Sequence, residues 1–488
     1  MPNDNKKKSL QRQITAERLN EMLREIEIDA AGSVKEGEYS ARARITALFD
    51  RGSFSETDRF IARSSEPDEA SGVITGYGSV GGRLVFAFAE DRSRMKGAFD
   101  SVSGKKITDL FAAAIRNRAP IVGIFDSDGM CIGEGVAAMS ALGAVAAASA
   151  SADGIIPRIA LVPGVLGGTE AAIAGGFDFI VSLKKSDGTG SDIFGIPPFL
   201  TGVRNTPADC GFSCCEAESE AELADIAKRI ISVIPSHRGE GASIADHDPA
   251  EENRSPDVSC LTGGELCEAF ADTDSCIRLY EKYTEGLALA IAPVGGVGCF
   301  IAAGNRLESD GCLTEADADA LERCVSFADR FGMPLIFLTD CPGLASDNGS
   351  ASYLKTVSRL QSTIARASNP RVAAFMGRAY GAGFMLLGSK SSGTDIVYAT
   401  PDACISALSP EASVAFVWND RVKAGDLSSS REMLEREWKE RLSSPAEAAL
   451  LGEVDDIVPA AELRPRVLSA IYMLLGKMRR DVGRRWHK

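Results

Sequence analysis

The residues of this 488-residue chain best placed to do chemistry act through backbone rather than side chain. From Arg118 to Gly135 the sequence reads RAPIVGIFDSDGMCIGEG. Ile121 to Phe125 is apolar without alternation, which predicts a strand buried on both faces. Asp126, Ser127, Asp128 and Gly129 then predict a sharp turn, and a helix begins after it. Such a turn aims backbone N–H groups at one point, and a helix start adds partial positive charge there. The result is a place that can stabilise a developing oxyanion, as the enolate of a thioester requires.

Side-chain mechanisms find little support. The three histidines are His237 and His247, in a polar stretch, and the penultimate His487, so Ser-His-Asp and Cys-His arrangements are disfavoured. Twelve cysteines are scattered without a CxxC spacing and include the vicinal pair Cys214-Cys215. That pattern predicts buried, reduced thiols and no metal site. Gly76-Tyr77-Gly78-Ser79-Val80-Gly81 matches G-x-G-x-x-G, but a strand follows where a dinucleotide site needs a helix. A net charge of −15 argues against nucleic-acid and anionic-membrane roles. No apolar run reaches the length of a membrane span, and the basic N-terminus lacks a signal core, so a cytoplasmic protein is expected.

The elements around the turn alternate between strand and helix, which predicts an α/β fold. Helical patterns cover Ser9 to Ser53, Lys105 to Asn117 and Ala217 to Val233. Val136 to Ala152 is expected to form a small-residue buried helix. GVITGYGSVGGRLVFAFA (Gly72 to Ala89) carries a hairpin signal. A buried strand over Ile155 to Val162 runs into Pro163-Gly164-Val165-Leu166-Gly167-Gly168, followed by a helix over Thr169 to Ala174 and a strand over Phe177 to Val181. Lys184 to Cys210 reads as a polar loop and Pro235 to Pro256 as a linker.

The chain then repeats itself. Gly81-Gly82 matches Gly295-Gly296, Pro120 matches Pro334, Asp126 matches Asp340 and Gly129 matches Gly343, all at one constant interval. Pro157-Arg158 matches Pro370-Arg371, Gly164 matches Gly377, and Asp178-Phe179-Ile180 matches Asp395-Ile396-Val397, with small changes of interval. Two copies of one domain are expected, residues 1–255 and 256–488. Each has a glycine-bearing turn after a buried strand and a second glycine cluster after the next strand, Gly164 to Gly168 and Gly377 to Gly383.

ARARITALFDRGSF (Ala41 to Phe54), GVITGYGSVGGRLVFAFAED (Gly72 to Asp91), DSDGMCIGEG (Asp126 to Gly135), FLTDCPGL (Phe337 to Leu344), GRAYGAG (Gly377 to Gly383) and SPAEAALLGEVDDIV (Ser444 to Val458) are collinear with one family. On these stretches the chain resembles the beta-type carboxyltransferase subunits of biotin-dependent acyl-CoA carboxylases and decarboxylases, of the propionyl-CoA carboxylase beta kind. The resemblance implies tandem crotonase-like domains and transfer of a carboxyl group between carboxybiotin and a short-chain acyl-CoA. It places one oxyanion hole at Gly129 and Met130, with Gly167 and Gly168 lining the same pocket. A second falls at Ala382 and Gly383, beside Tyr380 and Gly381, and is used by another protomer, so a dimer or hexamer is implied.

The family's turn DSGGARIQEG is changed here at Asp128, Met130 and Cys131, and a carboxylate at position 128 would oppose a nearby anion. Met130 and Cys131 themselves read as packing residues. No A-M-K-M biotin-attachment tetrapeptide and no phosphate-binding G-x-x-x-x-G-K-[ST] loop is present. The resemblance therefore implies biotin on a partner carrier protein, with a biotin carboxylase or a membrane decarboxylase subunit as further partner. Two other readings are a non-catalytic or weakly active paralogue within such a complex, and a hydratase or isomerase using Glu134 and Glu170. For both glutamates a helix-surface position is expected.

Overall fold

The computed structural model describes residues 40–59, 61, 72–184, 206–346, 351–423 and 429–477. The expected helix before residue 40 and most of the Lys184 to Cys210 loop lie outside these residues.

Two sheets of like topology account for the repeat. The first runs β1 (Ser55–Thr57), β2 (Val73–Val80), β3 (Arg83–Glu90), β4 (Ile121–Ile124), β5 (Arg158–Val162), β6 (Phe179–Leu183) and β7 (Cys215–Ala217), in that order. The second is ordered β15 (Asp456–Ile457), β13 (Ile396–Ala399), β12 (Arg371–Tyr380), β11 (Leu335–Cys341), β10 (Val297–Gly304), β9 (Leu287–Val294) and β8 (Ile277–Leu279), with β14 (Cys404–Ser406) beside β12. In each sheet a hairpin, β2–β3 or β9–β10, leads into parallel strands. Register repeats as well: Phe86 pairs with Ile121 and Phe300 with Leu335, while Ile121 pairs with Arg158 and Leu335 with Arg371. The fold is a tandem of crotonase-like α/β units.

Local devices repeat with the strands. Both hairpins turn on two glycines at positive φ, 55° and 78° at Gly81-Gly82, 56° and 74° at Gly295-Gly296. Such tight turns need two residues in the left-handed region, which glycine enters without a Cβ penalty. One carboxylate holds each pair of turn amides: Asp50 accepts from Gly81 and Gly82 at 3.0 Å, and Asp272 from Gly295 at 2.7 Å and Gly296 at 2.8 Å.

The helices that flank the first sheet are α1 (Ala41–Leu48), α2 (Ser101–Asn117), α3 (Val136–Ala152), α4 (Gly168–Ala174) and α5 (Glu220–Val233). One apolar core crosses between the halves: the Phe179 ring stacks near Phe300 at 6.5 Å and meets the edge of Phe327 at 4.9 Å. The segment expected as a linker is used structurally, since Ala245 N–H donates to Gly296 O and Gly298 N–H to Ser243 O, both at 2.8 Å.

Several expectations need correction. The strand after α3 begins at Arg158, because Ile155 and Ile156 close the helix through bonds to Ala152 O. The helix expected from Ala217 begins at Glu220, and Cys215–Ala217 form an edge strand ahead of it. Helix α3 is not buried all round: Ala138, Leu142, Val145, Ser149 and Ala152 face inward, while Val136 and Met139 are exposed. Small residues make a helix apolar on every face, so composition cannot tell which face is covered. All twelve cysteines are free thiols, but Cys210 and Cys260 are exposed.

Candidate active site

The first turn is fixed from three sides. Asp126, at the end of β4, is buried, and its carboxylate accepts from Arg44 Nη1 at 2.6 Å and from Val165 N–H at 3.3 Å. Its own N–H donates to Glu90 Oε2 at 2.8 Å. A Cβ at Gly164 would overlap Asp126 Oδ1, which explains the first glycine of the second cluster. Ser127 N–H donates to Val165 O at 2.8 Å, so the turn and that cluster are stitched together.

Gly129 adopts φ +116°, a value closed to other residues without strain. Its C=O accepts from Phe99 N–H at 2.9 Å, and Cys131 N–H donates to Phe99 O at 2.8 Å. Phe99 and Met130 therefore form a parallel bridge in which the amides either side of Met130 are engaged. The Met130 N–H points the other way, and no acceptor among the described residues takes it. The Gly129 N–H donates to Ser127 Oγ at 3.0 Å and is thus committed within the turn. A Cβ at Gly167 would come within 2.8 Å of Gly129 Cα, so Gly167 lies directly against the turn, and Gly168 opens α4 beside it. A groove of about 760 Å³ between α3 and α4 is lined by Met130, Met139, Gly143, Arg158, Thr169 and Ile173. The exposed face of α3 forms one of its walls.

The second turn is built the same way. Asp340 at the end of β11 accepts from Arg378 N–H at 2.9 Å, Arg378 Nε at 3.0 Å and Arg306 Nε at 3.1 Å. Gly377 stands where a Cβ would meet Asp340 Cγ at 2.6 Å. Gly343 has φ +130°, and its C=O accepts from Leu313 N–H at 2.9 Å while Ala345 N–H donates to Leu313 O at 2.9 Å. Leu313 and Leu344 repeat the bridge of Phe99 and Met130. Leu344 is thus the counterpart of Met130, a residue the sequence reading missed although the repeat interval leads from one to the other.

Beyond it, the Gly381 N–H donates to Ser406 O at 3.0 Å, whereas no acceptor among the described residues takes the Ala382 or Gly383 amide. A Cβ on Gly383 would reach Cys341 O at 2.5 Å, so this short helix sits against the end of β11. Gly343, Tyr380, Gly381, Ala382 and Ser409 line a cavity of about 640 Å³. Burial raises the Tyr380 phenol further above its usual value, so it stays a neutral hydrogen-bonding group. The two cavities share no lining residue.

Asp128 does not act as an uncompensated anion. Arg92 Nη1 lies 2.8 Å from its carboxylate and 3.4 Å from that of Asp126. Neither glutamate considered for acid–base work is simply a surface group. Glu134 is partly buried and accepts from Ser101 N–H at 2.7 Å, capping the start of α2. Glu170 is 2% exposed and receives Ser127 Oγ at 3.2 Å. Its sequence position in the first turn of a helix hides this, because burial there is set by Glu90 and Ser127 arriving from elsewhere.

Burial pushes the Glu170 carboxyl up to about 7, with the Ser127 hydrogen bond acting the other way. Glu90 is raised as well, by burial and then by Glu170. A raised carboxyl favours the fold while neutral in both states, below its ordinary value of 4.5, and that contribution is lost as pH rises through about 7. Glu170→Gln should therefore flatten the fall in melting temperature between pH 4.5 and about 7 relative to the wild type, as followed by thermal denaturation.

Residues 33–488 match the family described as the carboxyl transferase domain. The chain is 27% identical over 475 residues to a putative propionyl-CoA carboxylase beta chain of Bacillus subtilis, covering 91% of this chain and 92% of that one. It is 27% identical to the methylmalonyl-CoA decarboxylase subunit alpha of Veillonella parvula, with 91% of each chain covered. Among solved structures, the transcarboxylase 12S subunit superposes with a TM-score of 0.85 at 24% identity, covering 96% of both chains. No helix among the described residues is long and apolar enough to cross a membrane.

Proposed function

We propose, from the premise that this chain belongs to the carboxyl transferase domain family as a beta-type carboxyltransferase subunit, that it moves a carboxyl group between carboxybiotin on a partner carrier protein and a short-chain acyl-CoA. The single observation that carries this reading is the duplicated turn. Gly129 and Gly343, each at positive φ, hold the following amide away from the bridge partner of its strand. Each turn borders its own cavity, lined by Met130 in one case and by Gly343 and Ala382 in the other.

In the first cavity the Met130 amide, with those of Gly167 and Gly168 beside it, donates to the thioester oxygen. That oxygen gains charge when the α-carbon loses its proton and the enolate forms, the proton being taken up in balance by the ureido nitrogen from which the carboxyl group would depart. Preorganised amides stabilise it at no cost of reorientation, and loss of one such donor costs about 3 kcal/mol. In the second cavity the Ala382 and Gly383 amides suit the carbonyl oxygen of a neutral cyclic urea, and the lack of bulk at Gly343, Gly381 and Ala382 leaves room for its ring. When bound, carboxybiotin supplies the carboxyl group that the enolate carbon takes up. Tyr380 and Ser409 provide further neutral polar contacts.

In this reading the first cavity of one protomer faces the second of its partner, and transfer takes place between them. At least a homodimer follows, and a transcarboxylase 12S structure is described as a hexamer. A boundary between residues 255 and 256 separates the two units in this reading. Purified protein given a carboxylated biotin carrier domain and propionyl-CoA should form methylmalonyl-CoA, detected by mass spectrometry. Absence of product with acetyl-, propionyl- and butyryl-CoA alike would count against it.

A further inference from the structure

Behind the first turn lies an acid that the transfer chemistry above does not use. Glu170 is buried, its Oε1 lies 3.2 Å from Ser127 Oγ, and its Oε2 is without a hydrogen-bond partner. Ser127 Oγ already accepts the Gly129 N–H, and its single proton has two acceptors in reach, Glu170 Oε1 and the Gly129 C=O at 3.3 Å. That carbonyl belongs to the same peptide plane as the Met130 N–H. Whatever holds the carbonyl therefore aims the amide, and a hydrogen bond to the one strengthens the other as a donor.

We propose that Glu170, held neutral, is a positioning residue for the Met130 amide: it donates its proton to Ser127 Oγ, so that the Ser127 proton is left to the Gly129 carbonyl. An ionised Glu170 would draw the Ser127 proton to itself, release the carbonyl on that side, and set a negative charge behind the point where an enolate oxygen is to be held.

Burial rather than a neighbouring charge favours the neutral form. Glu90 faces it from β3 and is itself raised by burial, Asp126 lies against Glu90, and Asp128 is exposed and paired to Arg92. Arg44 from α1 is shared between Asp126 and Glu220 of α5, and Arg92 between Asp126 and Asp128. Among the described residues no cation pairs with Glu170. Its carboxyl, displaced by burial to about 7, is then poised at neutral pH.

The inference rests on Met130 acting as an oxyanion donor, and its test separates the two claims. Transfer by the wild type should fall as pH rises through about 7, and Glu170→Gln, an isostere of the neutral acid, should retain the activity seen at pH 6 and lose that fall. Glu170→Ala and Ser127→Ala should each lower kcat about tenfold with KM within about twofold, less than loss of a donor itself. Equal losses in Glu170→Gln and Glu170→Ala, or the same pH profile in Glu170→Gln as in the wild type, would overturn the proposal.

A second readout needs no turnover. The infrared difference between wild type and Glu170→Gln should contain a protonated-carboxyl band at pH 6 that disappears as pH rises through about 7. Its absence at pH 6 overturns the proposal whatever the activity. A wild type that shows the band but transfers nothing would count against the functional reading, the band still supporting a neutral Glu170.

Discussion

Gly167→Ala should reduce carboxyl transfer by about a hundredfold or more while leaving the fold in place. The added Cβ would lie 2.8 Å from Gly129 Cα, a distance that real side chains do not sustain, so one backbone must move. The Gly167 side is tied down by α4, whose Ala171 N–H donates to Gly167 O at 2.8 Å. The Gly129 side is tied by Phe99 and Ser127, and the displacement falls on the peptide that carries the Met130 amide. Transition-state donors are sensitive to such shifts because misplacement by an ångström can cost about a hundredfold. Steady-state transfer alongside thermal denaturation reads this out: kcat should collapse with the melting temperature lowered by only a few degrees. Unchanged turnover would remove Met130 from the mechanism.

Arg44→Met should destabilise the protein by about 3–5 kcal/mol, because it leaves buried Glu220 without its ion-pair partner and Asp126 with only the longer contact to Arg92. The guanidinium donates to Asp126 Oδ2 at 2.6 Å and, through Nε and Nη2, to Glu220 at 2.6 to 3.1 Å. The three side chains are 11%, 3% and 5% exposed, so water replaces little of what is lost. Because Asp126 anchors the first turn, the same change should also loosen the Met130 amide. Arg44→Lys should restore only part of the stability, since one ammonium cannot span both carboxylates as the planar fork does. Denaturant unfolding of the three proteins checks the order wild type, Lys, Met. A loss under 1 kcal/mol in Arg44→Met would show the triad to be dispensable.

Much of this architecture is legible in the sequence because it depends on residues with narrow backbone preferences. Gly81-Gly82 and Gly295-Gly296 mark two hairpins, and Gly129 and Gly343 mark two turns, since each needs positive φ. Their constant spacing reveals the duplication before any element is assigned. Features that depend on what arrives from elsewhere stay hidden. The burial of Glu170 is decided by Glu90 and Ser127, that of Asp126 by Arg44, and the pairing of Asp128 by Arg92. The bridges of Phe99 with Met130 and Leu313 with Leu344 involve single residues without strand patterning, so no periodicity announces them. Apolar composition over Val136 to Ala152 conveys that α3 can be covered on any side, and the face that lines the groove emerges only from packing.

The proposal that backbone amides of two different protomers complete one site is tested most directly by mixing two inactive variants. Gly167→Val should disable the first cavity, and Gly383→Val, whose Cβ would meet Cys341 O at 2.5 Å, the second. Coexpressed and assayed as the random mixture of dimers, they should regain about a quarter of wild-type transfer, because half of the dimers would carry one of their two sites with both cavities intact. Mixed oligomers as inactive as either parent would contradict a site shared between protomers.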